Sequence, residues 1–220
     1  MPLIASIDLD APWLAVRLSE PVQIVSWAVN RPGLVQGDQI LWREVKNQDL
    51  PLDVDPNQWL GAQLKARNST DAVTMLTSCD IRNYCVAEAQ VEGTMATAIV
   101  TVGLSNAERV GTRVDMSKDG WGTINLAVII EQGLTEWALF EAMSIATEAR
   151  TTAVLDAQIA IQTGRATGTG TDCVAVAAPH GDVCYSGLHT ALGEAIGKAV
   201  YRSSTEAIAL WRKSRAGQAF

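Results

Sequence analysis

The sequence predicts an α+β fold, a mixed or largely antiparallel sheet packed against two long C-terminal helices and one shorter helix. Three observations carry this. Residues 1–50 hold short runs rich in Val, Ile, Leu and Trp, punctuated by Pro, Gly, Asn and Asp, with no helical period. Two stretches in the second half, beginning near Thr135 and Thr190, repeat apolar residues at helical spacing. The order of strands, helix, strands, helix, strand, helix lacks the regular alternation of a parallel α/β sheet.

Taken in order, Trp13 to Leu18, Gln23 to Val29 and Gln39 to Val45 read as strands, separated by segments such as Asn30-Arg31-Pro32-Gly33 and Gln36-Gly37-Asp38. Asp55-Pro56 opens a helix over Asn57 to Arg67, with Asp55 as N-cap and Pro56 where a missing N–H costs nothing. Trp59, Leu60 and Leu64 give it an apolar stripe. Strands follow at Ala72 to Thr77, Tyr84 to Val91 and Met95 to Val102, the last carrying small residues on both faces as a buried central strand does. Another, Ile124 to Ile130, is introduced by Gly120-Trp121-Gly122-Thr123 and contains Asn125 among apolar neighbours. A buried amide must find partners, so Asn125 either braces a neighbouring segment or touches a ligand.

Thr135 caps the longest helix, with Glu136 at its positive end and Leu134 and Leu139 placed as a hydrophobic staple. Ala138, Ala142, Ile145, Ala149 and Ala153 form a small-residue stripe suited to lying close on a sheet, and Glu141 and Glu148 share a face beside it. Cys173 to Ala178 is a buried strand, and the last helix runs from about Thr190 to Lys213 with Leu192, Ile196, Val200, Ala207 and Trp211 on its apolar side. Gly193 and Gly197 inside that helix imply close approach of another backbone.

With 220 residues and 48% hydrophobic content the chain can bury a sizeable core, and no break in composition divides it, so residues 1–220 read as one domain. The net charge of −7 argues against a phosphate-tracking surface, and nucleic acid is not an expected partner. The four cysteines form no Cys-x-x-Cys pair and only two histidines are present, so neither a disulfide framework nor a metal site is expected, and no cofactor. Met1-Pro2-Leu3-Ile4 has no signal-peptide pattern and no apolar run reaches ~18 residues, so the expectation is a cytoplasmic protein without membrane association.

Thr167-Gly168-Thr169-Gly170-Thr171-Asp172 is the stretch richest in potential chemistry. Lacking bulky side chains, it suits a loop that feeds the strand starting at Cys173, and it concentrates hydroxyls, a carboxylate and unobstructed backbone N–H groups. The same composition also suits a simple turn.

Five segments together carry a resemblance. Gly103-Leu104-Ser105-Asn106-Ala107, Gly122-Thr123-Ile124-Asn125, Ala146-Thr147-Glu148-Ala149-Arg150, Thr167 to Asp172, and Gly187-Leu188-His189-Thr190 with Gly193-Glu194-Ala195-Ile196-Gly197 occur in this order over roughly residues 95–200. They resemble the adenosylcobinamide amidohydrolase family of corrinoid salvage. The resemblance implies a hydrolase that cleaves the amide joining the aminopropanol arm to the corrinoid, turning adenosylcobinamide into adenosylcobyric acid for cobalamin biosynthesis. A corrinoid substrate is the expected partner, with a homo-oligomer left open. A non-catalytic corrinoid-binding protein, or an amidase of the same fold acting on another amide, are the alternatives. Cys173 departs from the resemblance, standing where a small residue such as Ala is expected.

Amide hydrolysis needs oxyanion donors, an activated nucleophile or water, and a proton for the departing nitrogen. On this reading His189 and Asp172 are the expected catalytic residues, His189 moving the proton and Asp172 orienting it or activating water. Ser105, Asn106, Asn125, Glu148, Thr167, Thr169 and Thr171 are the expected substrate-binding residues, all converging with the catalytic pair on one pocket. No Gly-x-Ser-x-Gly elbow occurs; Cys173 and Cys184 are the remaining candidate nucleophiles.

Overall fold

The computed structural model describes residues 2–46, 48–51, 53–114 and 122–216; Gly120 and Trp121, expected at the entry to a strand, lie outside them. The order of elements is β1 (Ile4–Asp10), β2 (Trp13–Ser26), β3 (Gly33–Glu44), α1 (Pro56–Ala66), β4 (Val73–Thr77), β5 (Cys85–Val91), β6 (Thr94–Val102), β7 (Ala107–Glu108), β8 (Ile124–Ile130), α2 (Glu136–Asp156), β9 (Ala160–Ile161), β10 (Gly164–Arg165), β11 (Gly168–Thr169), β12 (Cys173–Ala178) and α3 (Ala191–Ala216). The expected α+β class holds: three helices and a mixed eight-stranded sheet in the order β4-β3-β2-β12-β8-β6-β5, with β1 added on β2.

The sheet is mixed because β12 runs parallel to β8 and β4 parallel to β3, while every other pairing in it is antiparallel. β8 and β12 are buried along their whole length, as expected of strands that read as unbroken apolar runs. Two expected strands at Trp13 and Gln23 are instead one long β2. Glu20-Pro21 between them does not break it, because the ladder to β3 shifts register between Arg17 and Val22 and asks no N–H of that stretch. β1, an edge strand with no fully buried residue, carries too little apolar surface to stand out in the sequence.

One face of the sheet packs on α2 and α3. Val100, Leu126, Val128, Val174 and Val176 meet the small-residue stripe of α2, Ala138, Ala142 and Ala153, and the Leu192, Ile196 and Val200 side of α3. On the other face Ile99, Ala127, Ile129 and Ala175 are covered by Leu14, Val16, Ile40, Trp42 and Met75 of the chain's own first strands, so the sheet curls back on itself. α1 rests outside this curl on Trp13, Ala15 and Leu41.

Caps form as the sequence specifies. Asp55 accepts from Asn57 N at 2.8 Å, and the Thr135 hydroxyl accepts from Ala138 N at 3.4 Å. Gly193 does allow a close approach, since a Cβ there would collide with the carbonyls of Ser186 and Gly187; Gly197 does not, as a Cβ there would meet open space. No helix among the described residues is long and apolar enough to cross a membrane.

Candidate functional site

The polar motifs collect where three strands share one end. β6 ends at Val102, opposite Ile124 at the start of β8, and β12 begins beside it with Cys173 paired to Asn125. The turn leaving β6 and the turns entering β8 and β12 therefore meet. Gly103 N donates to Thr123 O at 2.9 Å, Thr123 Oγ1 to Thr171 O at 2.8 Å, and Thr171 Oγ1 to Gly122 O at 3.1 Å.

Asp172 is the hub. Its Oδ1 accepts from Ile124 N at 2.9 Å and Thr169 Oγ1 at 2.5 Å; its Oδ2 accepts from Thr169 N at 2.9 Å and from Arg150 Nη1 of α2. The Arg150 and Asp172 side chains of this ion pair are 9% and 8% exposed. A buried charge survives only when paired and hydrogen-bonded, and here the carboxylate has used its acceptor capacity on the protein. Glycine is required at 168 because a Cβ would collide with both Arg150 and Asp172.

The hydroxyls fasten the loop as well. Thr167 Oγ1 accepts from Val110 N at 2.8 Å and donates to Glu108 O at 3.4 Å, and Thr169 gives its proton to Asp172. Beside this frame opens a cavity of about 580 Å³, walled by residues 108–113, by the Thr147, Arg150 and Thr151 face of α2, and by residues 167–170 with Asp172. On the far side of Thr171 a second, more apolar cavity of about 490 Å³ lies against Val29, Val45, Leu50 and Leu76.

Asn106 is buried next to Gly122, where a Cβ would come within 2.6 Å of its Oδ1, and that oxygen has no partner among the described residues. Ser105 accepts a hydrogen bond from Arg215 of α3. Ser105, Asn106, Thr167, Thr169, Thr171 and Asp172 thus gather at one end of the sheet, but not around one pocket: Thr167, Thr169 and Asp172 line the first cavity, Thr171 the second, and Ser105 and Asn106 neither.

Three assignments change. Asn125 is fully buried, donates to Leu76 O at 2.8 Å and accepts from Thr123 Oγ1 at 3.3 Å, so it braces β4 across β8 and has no face for a ligand. Glu148 is exposed and bonded by Ser144; on α2 it is turned about 100° from Thr147 and about 60° from Thr151, and it does not line the cavity. His189 follows the far end of β12, exposed in the segment that leads into α3, where Ser186 and Gly187 pack on Ala138 and Glu141 of α2, and it does not line the cavity. It makes no hydrogen bond with Asp172 and does not cap the helix, since the cap is Thr190, whose hydroxyl accepts from Gly193 N at 2.9 Å.

Neither Cys173 nor Cys79 replaces it, and Cys184 lines neither cavity. Burial pushes Cys173 up to about 12, and burial likewise raises Cys79, which donates to Thr123 O at 3.2 Å under the glycine-rich turn; both are neutral at pH 7 and poor nucleophiles. Sequence reasoning misses Glu108, Arg109 and Arg113 of the cavity wall, and Arg150 as its buried cation. A signal for Arg150 does exist: it falls four residues after Ala146 and three before Ala153 on the buried stripe, and a charge there demands a partner.

Comparison with known proteins agrees with the motifs. The family described as adenosylcobinamide amidohydrolase matches residues 4–216, well beyond the segment that carries the motifs. An uncharacterized protein of Methanocaldococcus jannaschii is 33% identical over 160 residues, an alignment that covers 63% of this chain and 63% of that protein's length. The crystal structure of the PH0078 protein from Pyrococcus horikoshii OT3 superposes with a TM-score of 0.45 at 9% identity, covering 90% of this chain and 77% of that one.

Proposed function

The chain belongs to the adenosylcobinamide amidohydrolase family, and from that premise we propose that it hydrolyses the amide between the corrinoid and its aminopropanol arm, releasing adenosylcobyric acid. The observation that carries the reading is that two of the motifs that resemble the family, Ala146–Arg150 and above all the Thr167–Asp172 loop, line one cavity within the stretch that the family match covers. Its size suits part of a corrinoid, the amide-bearing rim with its arm, rather than the whole macrocycle.

In this reading the loop is a rigid frame. Asp172 and the threonine hydroxyls hold backbone and Arg150 in place before substrate arrives, so binding costs no reorganisation of the wall. Peripheral corrinoid amides, donors and acceptors both, meet the cations and carboxylate along residues 108–113.

Incubation of the purified protein with adenosylcobinamide, followed by chromatography, tests the proposal. Conversion to adenosylcobyric acid with release of one aminopropanol is the expected result; a binding protein would return the corrinoid unchanged.

A further inference from the structure

We infer that Glu108 takes and returns the proton in this hydrolysis, acting beside the guanidinium of Arg150, which Asp172 holds in place; the inference rests on the proposed reading of the cavity. Proton transfer near neutral pH requires a carboxylate, imidazole, thiol, amine or phenol within reach of the reacting atoms. Among the described residues the cavity wall contains no His, Cys, Lys or Tyr, and its carboxylates are Glu108 and Asp172.

Asp172 is spent. Its oxygens accept from Ile124 N, Thr169 N, Thr169 Oγ1 and Arg150, and a proton placed on it would dismantle the buried ion pair that organises the loop. The wall's hydroxyls at Thr112, Thr147, Thr167 and Thr169 give their protons to Arg109 O, Met143 O, Glu108 O and Asp172. Glu108 differs from all of these. Its backbone is fixed in β7 by pairing with Gly168 and by Thr167 N at 2.9 Å, while its carboxylate forms no ion pair or hydrogen bond with a described residue. That carboxylate lies over Gly170, where a Cβ would come within 2.9 Å of Oε1.

Arg150 supplies the second, independent observation. Its side chain, only 9% exposed in the same wall, gives Nη1 to Asp172, and its Nε is buried with no partner among the described residues. A guanidinium keeps its charge at any accessible pH, so it presents a fixed positive group to an oxygen that becomes negative.

In the first half of the reaction Glu108 removes one proton from water as the water oxygen bonds to the amide carbon, and the carbonyl electron pair moves onto oxygen beside Arg150. Collapse reforms the carbonyl and breaks the C–N bond, the nitrogen leaving with the proton that Glu108 held. A carboxylic acid, a free amine and an ionised Glu108 remain.

Glu108→Gln in the full chain, assayed on adenosylcobinamide, is the test. Expected is a fall in kcat of ~10²–10⁴-fold with KM little changed, and loss of the acid limb that the wild type shows in kcat/KM against pH. Turnover near wild type, or a rise in KM alone, would overturn the assignment. Should the Gln variant not fold, Glu108→Asp withdraws the carboxylate by about one methylene and should lower kcat by about 10²-fold; full activity there overturns it equally. A wild-type protein that leaves adenosylcobinamide intact would reject the proposed function and this inference together, whereas an active wild type with an active Gln variant rejects the inference alone.

Discussion

The two ends of the β8–β12 pair are built from similar residues to opposite effect. At the end where these strands begin, glycines 103, 122 and 168 let side chains approach: Cys79, Asn106, Arg150 and Asp172 each occupy the space that a Cβ would have taken. At the end where they finish, backbone meets backbone at glycines 133, 181 and 193, while Gly187 makes room for the Glu141 carboxylate. A Cβ on Gly133 would come within 2.9 Å of Gly181, and one on Gly193 would collide with the carbonyls of Ser186 and Gly187. The first arrangement orients polar groups around an opening, and the 580 Å³ and 490 Å³ cavities both lie there. The second closes the start of α2 onto the segment before α3, with Ser186 Oγ donating to Ala138 O at 2.7 Å. A glycine-rich motif is thus a statement about closeness, and the group that comes close decides whether it is a site or a seam.

The largest expected effect comes from the hub of the first end. Asp172→Ala leaves Arg150 buried without its counter-charge, and removing one partner of such a pair costs ~3–5 kcal/mol. Urea unfolding should show that loss. At the seam, Glu141 accepts from Ser186 N at 2.6 Å, and Glu141→Ala should cost less, ~1.5–3 kcal/mol for one hydrogen bond to a charged group. A seam costlier to cut than the hub would reverse the comparison.

Glycine substitutions sharpen it. Gly168→Ala and Gly193→Ala both force atoms apart and should each cost ~1–3 kcal/mol in the same unfolding assay. Only Gly168→Ala should also lower turnover in the folded protein, because the atoms it displaces are those of Arg150 and Asp172. Gly197→Ala, with open space around it inside α3, should instead stabilise by up to ~1 kcal/mol. Destabilisation at Gly197 would mean that something covers that face in solution.

The same contrast shows how much a sequence can reveal. Helix starts are legible because caps are local: Asp55-Pro56, Thr135 and the region of Thr190 each carry their partners within three residues. The two central strands are legible because unbroken apolar runs of strand length have few other uses. β7, β9, β10 and β11 are not, since two-residue pairings leave no period to detect. Within the site, Asp172 and Arg150 lie 22 positions apart on a loop and a helix, and only tertiary packing reveals the pair. Glu108 is hidden for the same reason as β7. The placement of His189, however, is a matter of topology. After β12 the segment from Pro179 to Thr190 packs on Gly133, Leu134, Ala138 and Glu141, the start of α2, and so enters α3 without lining the cavity.

The smallest expected effect belongs to that histidine. His189 is exposed, makes no hydrogen bond with a described residue, and stands next to the true cap, so His189→Ala should change stability by no more than ~0.5 kcal/mol. Thr190→Ala, one residue on, should cost ~0.5–2 kcal/mol through the lost bond to Gly193 N. Turnover of adenosylcobinamide by His189→Ala should stay close to wild type, because His189 is not among the residues that wall the cavity. This measurement bears hardest on the comparison. The large apolar side chains of Trp137, Phe140, Tyr185 and Leu188, 62%, 53%, 72% and 71% exposed, belong to the same two segments, the start of α2 and the stretch before α3. A fall in kcat of ~10²-fold or more in a stably folded His189→Ala would move the chemistry to those segments and leave the Asp172 frame as scaffold.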